Sequence, residues 1–447
     1  MLHRVPSGEI APGLVTAWKI APDGKKMECT LRKGVKFHSG DLLTTKDVQF
    51  SYERALAKNP SVKATLRSVE RLEIVDDYRF NFHFKEPDVT FIPYLGAFAI
   101  VSKSYYERAG EETFSKQPSG TGPYRVAGYR PGEYVDLERF EGYWGKKPSV
   151  KKTRIYFVGE ETTRISKLKA GEVDLISAVP FTTVKDIEKS PNFKMIKVAT
   201  YHPTRSILFG VNNPKMPWHD KRVRLAMAQA IDYKSIIHIL NDVPIHLPGL
   251  APDELGYDPE VKPYAYDPKK AKALLAEAGY PNGFDVKFYW GVGGRVSMQQ
   301  EIAEAVAGYW DAVGIRTKLV GEETAAMLAR RKNSLKPDAE YVAIYTSGFA
   351  GGTDPTQPLN FYFSADSANP VFTTPEITKV IREARSTMDD KKRAELIKQA
   401  VRLVHDEVGI IPVINNVTVY AMKKNIEFNP TRGINFDYLL VKDMTFK

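Results

Sequence analysis

The chain has 447 residues, more than one hydrophobic core usually organises, so two or three lobes are expected. Hydrophobic residues make up 43% and charged residues 26%, and no stretch is apolar and long enough to form a spanning helix. The formal charge of +10 is spread as Lys and Arg interleaved with Asp and Glu, without a basic tail or aromatic-basic stripe, so a solvated cationic surface is expected and no nucleic-acid partner.

The first residues, Met1-Leu2-His3-Arg4-Val5-Pro6, lack the zones of a secretory signal, so either a signal has been removed or the protein stays inside the cell. Trp18 to Ile20 and Met27 to Leu31 flank Asp23-Gly24, which tolerates the positive φ of a tight hairpin, and two paired strands are predicted. Cys29 lies in the second strand. As the only cysteine it has no disulfide partner and no metal-site spacing. Thr44 with Asp47 three residues on predicts a capped helix carrying Val48, Tyr52 and Ala55. A second hairpin joins Leu72 to Val75 with Phe80, Phe82 and Phe84, which alternate strictly.

From Thr153 the pattern changes to strands alternating with helices. Ile155 to Val158, Thr163 to Ala170 and Val173 to Ile176 read as a βαβ unit. Pro244 to Pro263, crowded with proline and glycine, is the best linker candidate. Asp267-Pro268 supplies an N-cap and first-turn proline for a helix ended by Gly279, before the strand Phe284, Val286 and Phe288. Ile302, Val306, Tyr309 and Val313 line the next helix, closed by Gly314, and Ile315, Thr317 and Leu319 alternate as a strand. Two helices, Glu376 to Thr387 and Lys391 to Asp406, precede a strand around Ile410 to Ile414.

Catalytic apparatus is hard to find. The eight histidines make no closely spaced ligand pair, no Gly-x-Ser-x-Gly elbow occurs, and no Walker lysine follows a glycine loop, so neither metal nor cofactor is expected. A carboxylate pair meeting in a cleft leaves a hydrolase open. Gly291 to Ser297 follows a strand and opens a helix, where backbone amides can hold an anion, or it is a plain turn. Trp290 before it is a ligand platform or a cover for the sheet end. Phe349 to Pro355 follows the strand Tyr341 to Tyr345, at a carboxyl end where α/β folds place ligands; Asp354 either meets ligand or starts a turn.

The run Leu31-Arg32-Lys33-Gly34-Val35-Lys36-Phe37-His38-Ser39-Gly40-Asp41, continuing through Thr44-Thr45-Lys46-Asp47-Val48, closely resembles the signature of family 5 extracellular solute-binding proteins of the peptide- and nickel-binding type. Gly120-Thr121-Gly122-Pro123-Tyr124, Gly142-Tyr143-Trp144-Gly145, Ala170-Gly171-Glu172-Val173-Asp174, Asp220 to Ala226 and Tyr266-Asp267-Pro268 extend the resemblance in order across nearly the whole chain. It implies an α/β, two-lobed periplasmic-binding-protein fold (type II, Venus-flytrap) with an extra domain on the first lobe. A small organic solute or peptide would be enclosed between the lobes and handed to an ABC permease. The expected division is 1–118 for the extra domain, 119–247 for the first lobe, 248–411 for the second and 412–447 for a return to the first.

Family chains start some tens of residues earlier, so an N-terminal part is expected to be missing. Where peptide binders place an acid to meet a free amine, this chain has Gly351 and Gly352. Expected ligand contacts are Thr121, Arg205, Trp290, Phe349 and Asp354; Arg205 suits a carboxylate or phosphate through its planar fork. The reading is an extracytoplasmic, monomeric solute-binding protein with no catalytic residues, and an intracellular ligand sensor or a cleft hydrolase on the same fold is the alternative.

Overall fold

A computed structural model describes residues 1–4, 10–58, 66–96, 98–292, 298–345, 354–367, 369–428, 430 and 441–447. The chain forms two compact units, Met1–Glu160 with Arg385–Met388 and Lys424–Lys447, and Glu161–Ala384 with Asp389–Lys423. Their limits do not coincide with the expected boundaries at 118, 247 and 411.

In the first unit, strands β1 (Val15–Ile20) and β2 (Lys26–Leu31) pair antiparallel around the Asp23-Gly24 turn, where Gly24 takes φ +69°. They join β3 (Val69–Ile74) and β4 (Arg79–Phe84) in a four-stranded sheet of order β1-β2-β4-β3. The alternating phenylalanines bury Phe80, Phe82 and Phe84 with Met27 and Leu31, and Phe82 meets Phe91 edge to face at 4.7 Å. Cys29 is buried in the same core, which pushes its thiol up to about 12. Helix α1 (Thr45–Lys58) starts as expected, but Thr44 donates its amide (2.9 Å) and hydroxyl (3.4 Å) to Asp47 Oδ2 instead of capping with its oxygen. Asp47 Oδ1 accepts from the Lys103 amide at 2.9 Å, so this carboxylate ties two segments together.

A second, three-stranded sheet of this unit is the meander β5 (Tyr124–Arg130), β6 (Tyr134–Arg139) and β7 (Lys152–Tyr156). This overturns the βαβ unit predicted from Thr153. Strand β7 pairs antiparallel with β6, while β8 (Leu175–Ile176) pairs antiparallel with Met422 and Ala421, so the two strands belong to different sheets. The helix between them, α2 (Glu161–Lys169), has the expected length but joins no parallel pair.

The second unit is built on a six-stranded sheet. Its strands are β8, β9 (Phe193–Phe209), β10 (Phe284–Val292), β11 (Ile315–Glu323), β12 (Val342–Tyr345) and β13 (Ile411–Lys423), in the order β8-β13-β9-β12-β10-β11. Here the strand, helix and strand expected between Phe284 and Leu319 form a βαβ unit. Helix α3 (Pro268–Glu277) is capped by Asp267, which accepts from the Lys270 amide at 2.9 Å, and it ends at Gly279 with φ +94°. Helix α4 (Gln299–Asp311) then connects β10 to its parallel neighbour β11. It buries Ile302, Val306 and Trp310, and Trp310 donates from Nε1 to the Met227 carbonyl at 2.9 Å.

Pro244 to Pro263 lies inside the second unit and is not a free linker. Asn415 accepts the Leu247 amide at 2.7 Å and donates its own amide to Ile245 O at 2.6 Å, His246 Nδ1 bonds Val413 O at 2.9 Å, and Asp258 pairs with Arg402. Proline removes donors from this stretch, and side chains from β13 and the helix Asp390–Asp406 supply the missing bonds.

Candidate ligand-binding site

The Gly120–Pro123 loop of the first unit is held by the signature segment. His38 donates its backbone amide to Gly120 O at 2.9 Å, accepts the Gly120 amide on Nδ1 at 3.3 Å and donates from Nε2 to Gly122 O at 3.0 Å. These partners set the neutral Nε2–H tautomer, and burial lowers its pKa. Trp144 Nε1 donates to Thr121 O at 3.1 Å, and the Arg32 guanidinium lies 4.6 Å from the Trp144 ring centroid. Thr121, 8% exposed, is thus an anchor through its carbonyl.

In the second unit one sheet carries both Trp290, near the carboxyl end of β10, and Arg205, within β9, which runs antiparallel to β12. Tyr345 stands opposite Ser206, and Ile344 stands opposite Trp290, so β12 separates the two expected contacts. The register of β9 shifts on both sides of Arg205, a bulge that re-aims a side chain. Arg205 is buried, which pushes its pKa down to about 9 against the opposing influence of Tyr345 and Tyr362. Trp290 covers Gly321 closely enough that a Cβ there would come within 3.1 Å of the indole. Gln299 donates to Ile344 O at 3.2 Å and fixes the strand end from the helix side.

Asp354 has both oxygens engaged. Oδ1 accepts from the Thr356 amide at 2.9 Å and hydroxyl at 2.6 Å, opening the helix Thr356–Phe363, and Oδ2 pairs with Arg393 Nε at 2.9 Å. This is the turn-forming use of Asp-Pro. Phe349, Gly351 and Gly352 lie outside the described residues, as do residues 293–297 of the glycine loop.

Arg331, Tyr345 and Tyr362 belong to the same region and were not singled out in the sequence. The run Arg330-Arg331-Lys332 closes a helix, where cations ordinarily complement the dipole in water, so nothing in the pattern marks Arg331. A separate groove of about 710 Å³ lies at the amino ends of β10 and β11, lined by Trp218, Asp285, Lys287, Arg316 and Lys318 among others. Asp285 and Arg316 pair there at 2.7 Å. Among the described residues no group of three or more His, Cys, Asp or Glu side chains could hold a metal ion.

Residues 9–370 match the family described as Bacterial extracellular solute-binding proteins, family 5 Middle. The heme-binding protein A of Haemophilus influenzae is 32% identical, over 92% of this chain and 80% of its own length. The Helicobacter pylori ABC transporter-associated periplasmic binding protein DppA, solved with the peptide STSA, superposes at TM-score 0.85 with 26% identity, covering 100% of this chain and 91% of that one. AgaA of A. tumefaciens R10, solved with agropinic acid, gives TM-score 0.84 and 27% identity over 100% and 92%. These relatives are binding proteins, not enzymes. The chain belongs to the bacterial extracellular solute-binding proteins, family 5, with the two-lobed type II fold of the solute-capturing components of ABC importers.

Proposed function

We propose that this chain captures a peptide-like or other small organic solute that lacks a free amine, delivers it as a monomer to a membrane permease, and catalyses no reaction. Thr121, Arg205, Trp290 and Phe349 are the proposed contacts, with Asp354 meeting the ligand only by giving up Thr356 or Arg393. The observation that carries the ligand class is the state of Asp354, whose two oxygens are taken by Thr356 and Arg393. An incoming ammonium would have to displace Arg393 or be buried unpaired, and either costs several kcal/mol. Arg205 favours a neutral or acidic solute over an ordinary peptide.

The similar proteins support this breadth, since one is solved with a peptide and another with agropinic acid. Calorimetric titration with matched free and N-acetylated peptides tests the reading. The acetylated series is expected to bind tighter by about tenfold or more. Tighter binding of the free amines would overturn it, and Asp354→Asn would then show whether that carboxylate is their partner.

A further inference from the structure

Arg331 is 6% exposed, and its Nε is buried without a hydrogen-bond partner among the described residues. The contacts of its guanidinium are rings: Tyr345 at 5.4 Å and Phe361 at 5.9 Å from the centroids. Arg330 beside it differs, because it bonds Glu322 Oε2 at 3.0 Å and lies over Tyr289 at 3.9 Å. An arginine that served only the helix terminus would keep its head in water. Arg205, 3% exposed, is an electrostatic neighbour of Tyr345 and Tyr362, and Arg331 also neighbours Tyr362.

We infer that Arg331 and Arg205, walled by Tyr345, Tyr362 and Phe361, form a subsite for a carboxylate of the captured solute. Two cations share one set of aromatic neighbours at the carboxyl ends of parallel strands, where α/β sheets receive ligands. Ring faces attract the Arg331 guanidinium but leave its N–H donors unused, and a guanidinium buried in this way is costly until an anion arrives. A carboxylate offers two acceptors to the planar fork and neutralises both arginines' field. Tyrosine hydroxyls beside them can donate to the same oxygens. The inference rests on the solute-capture reading and narrows its ligand to acids.

The test is thermal unfolding of the full chain and Arg331→Met at constant ionic strength. The additives are succinate, inorganic phosphate, N-acetyl-alanyl-alanine and its C-terminal amide, each against chloride. Without additive, Arg331→Met is expected to melt at or above the parent temperature, since it removes a buried charge without a carboxylate. The acid probes should raise the parent's midpoint by about 3 °C or more at saturating concentration, the amide should not, and the variant should lose the response. Arg331→Lys, which keeps the charge but not the fork, should keep only part of it. The proposal is overturned if Arg331→Met melts lower by a similar margin, if the amide stabilises as much as the acid does, if phosphate alone stabilises, or if no anion does. Failure of the solute-capture reading looks different: neither peptide form binds while the succinate response and its loss in Arg331→Met persist.

Discussion

Two buried arginines, Arg385 in the first unit and Arg331 in the second, are 4% and 6% exposed and are surrounded in opposite ways. Arg385 pairs with Asp88 at 2.6 Å, and the carboxylate also accepts from the Thr90 amide and hydroxyl, while the Val89 amide bonds Arg385 O. Arg331 has rings. The contrast teaches that burial alone does not mark a functional charge. A charge whose partner folds with it is structural, and one left to aromatic faces is ready for a partner that arrives later.

The largest expected effect comes from breaking the completed pair. Asp88→Ala leaves Arg385 buried and uncompensated, which should lower the unfolding free energy by about 3–5 kcal/mol in urea titration. If it costs no more than Arg331→Met, the distinction between the two arginines fails. His38→Ala comes next, since it removes the two imidazole hydrogen bonds to the Gly120–Gly122 backbone and an edge contact with Phe140 at 5.0 Å. A loss of about 2–3 kcal/mol is expected in the same titration.

Acid should sharpen the comparison further. Burial lowers the pKa of both His38 and His246 below the ordinary 6.5, so each is neutral in the fold and takes up its proton more readily when unfolded. Their contribution is therefore complete above that ordinary value and is lost as pH falls through it toward the folded value. Each histidine can remove at most about 1.4 kcal/mol per pH unit over that window. Urea midpoints at pH 7.5 and 5.5 should show the decline, and His246→Gln should make it shallower. The smallest effect belongs to the exposed pair Asp285–Arg316, whose side chains are 82% and 58% accessible. Arg316→Gln should leave the urea midpoint where it is, because exposed pairs are screened and contribute little.

Legibility in the sequence followed how local the cause was. Asp23-Gly24, Asp267-Pro268 and Gly279 act within a few residues, and the hairpin and helix they announce are present. The supposed βαβ unit after Thr153 failed because helical and strand periodicity say nothing about which sheet a strand joins; β7 and β8 find partners far apart in the chain. Strand β13 was read only as far as Ile414, since Asn415 and Asn416 interrupt its apolar run, yet Asn415 spends its side chain on Leu247 and its backbone on Ile245. At the site, Arg205 was legible as a planar fork suited to a carboxylate or phosphate. Arg331 was not, because its isolation depends on Tyr345 and Phe361, which come from two other elements.

Cys29 has a consequence of another kind. It is the sole cysteine of the chain, 3% exposed, with its thiol held up at about 12, so at neutral pH almost none is the reactive thiolate. This chain is therefore already a silent background for thiol chemistry. A cysteine introduced at Leu328, 37% exposed on the helix that carries Arg331, would be the single labelling position. An environment-sensitive dye there would turn occupancy into a fluorescence signal without removing any native residue of the core.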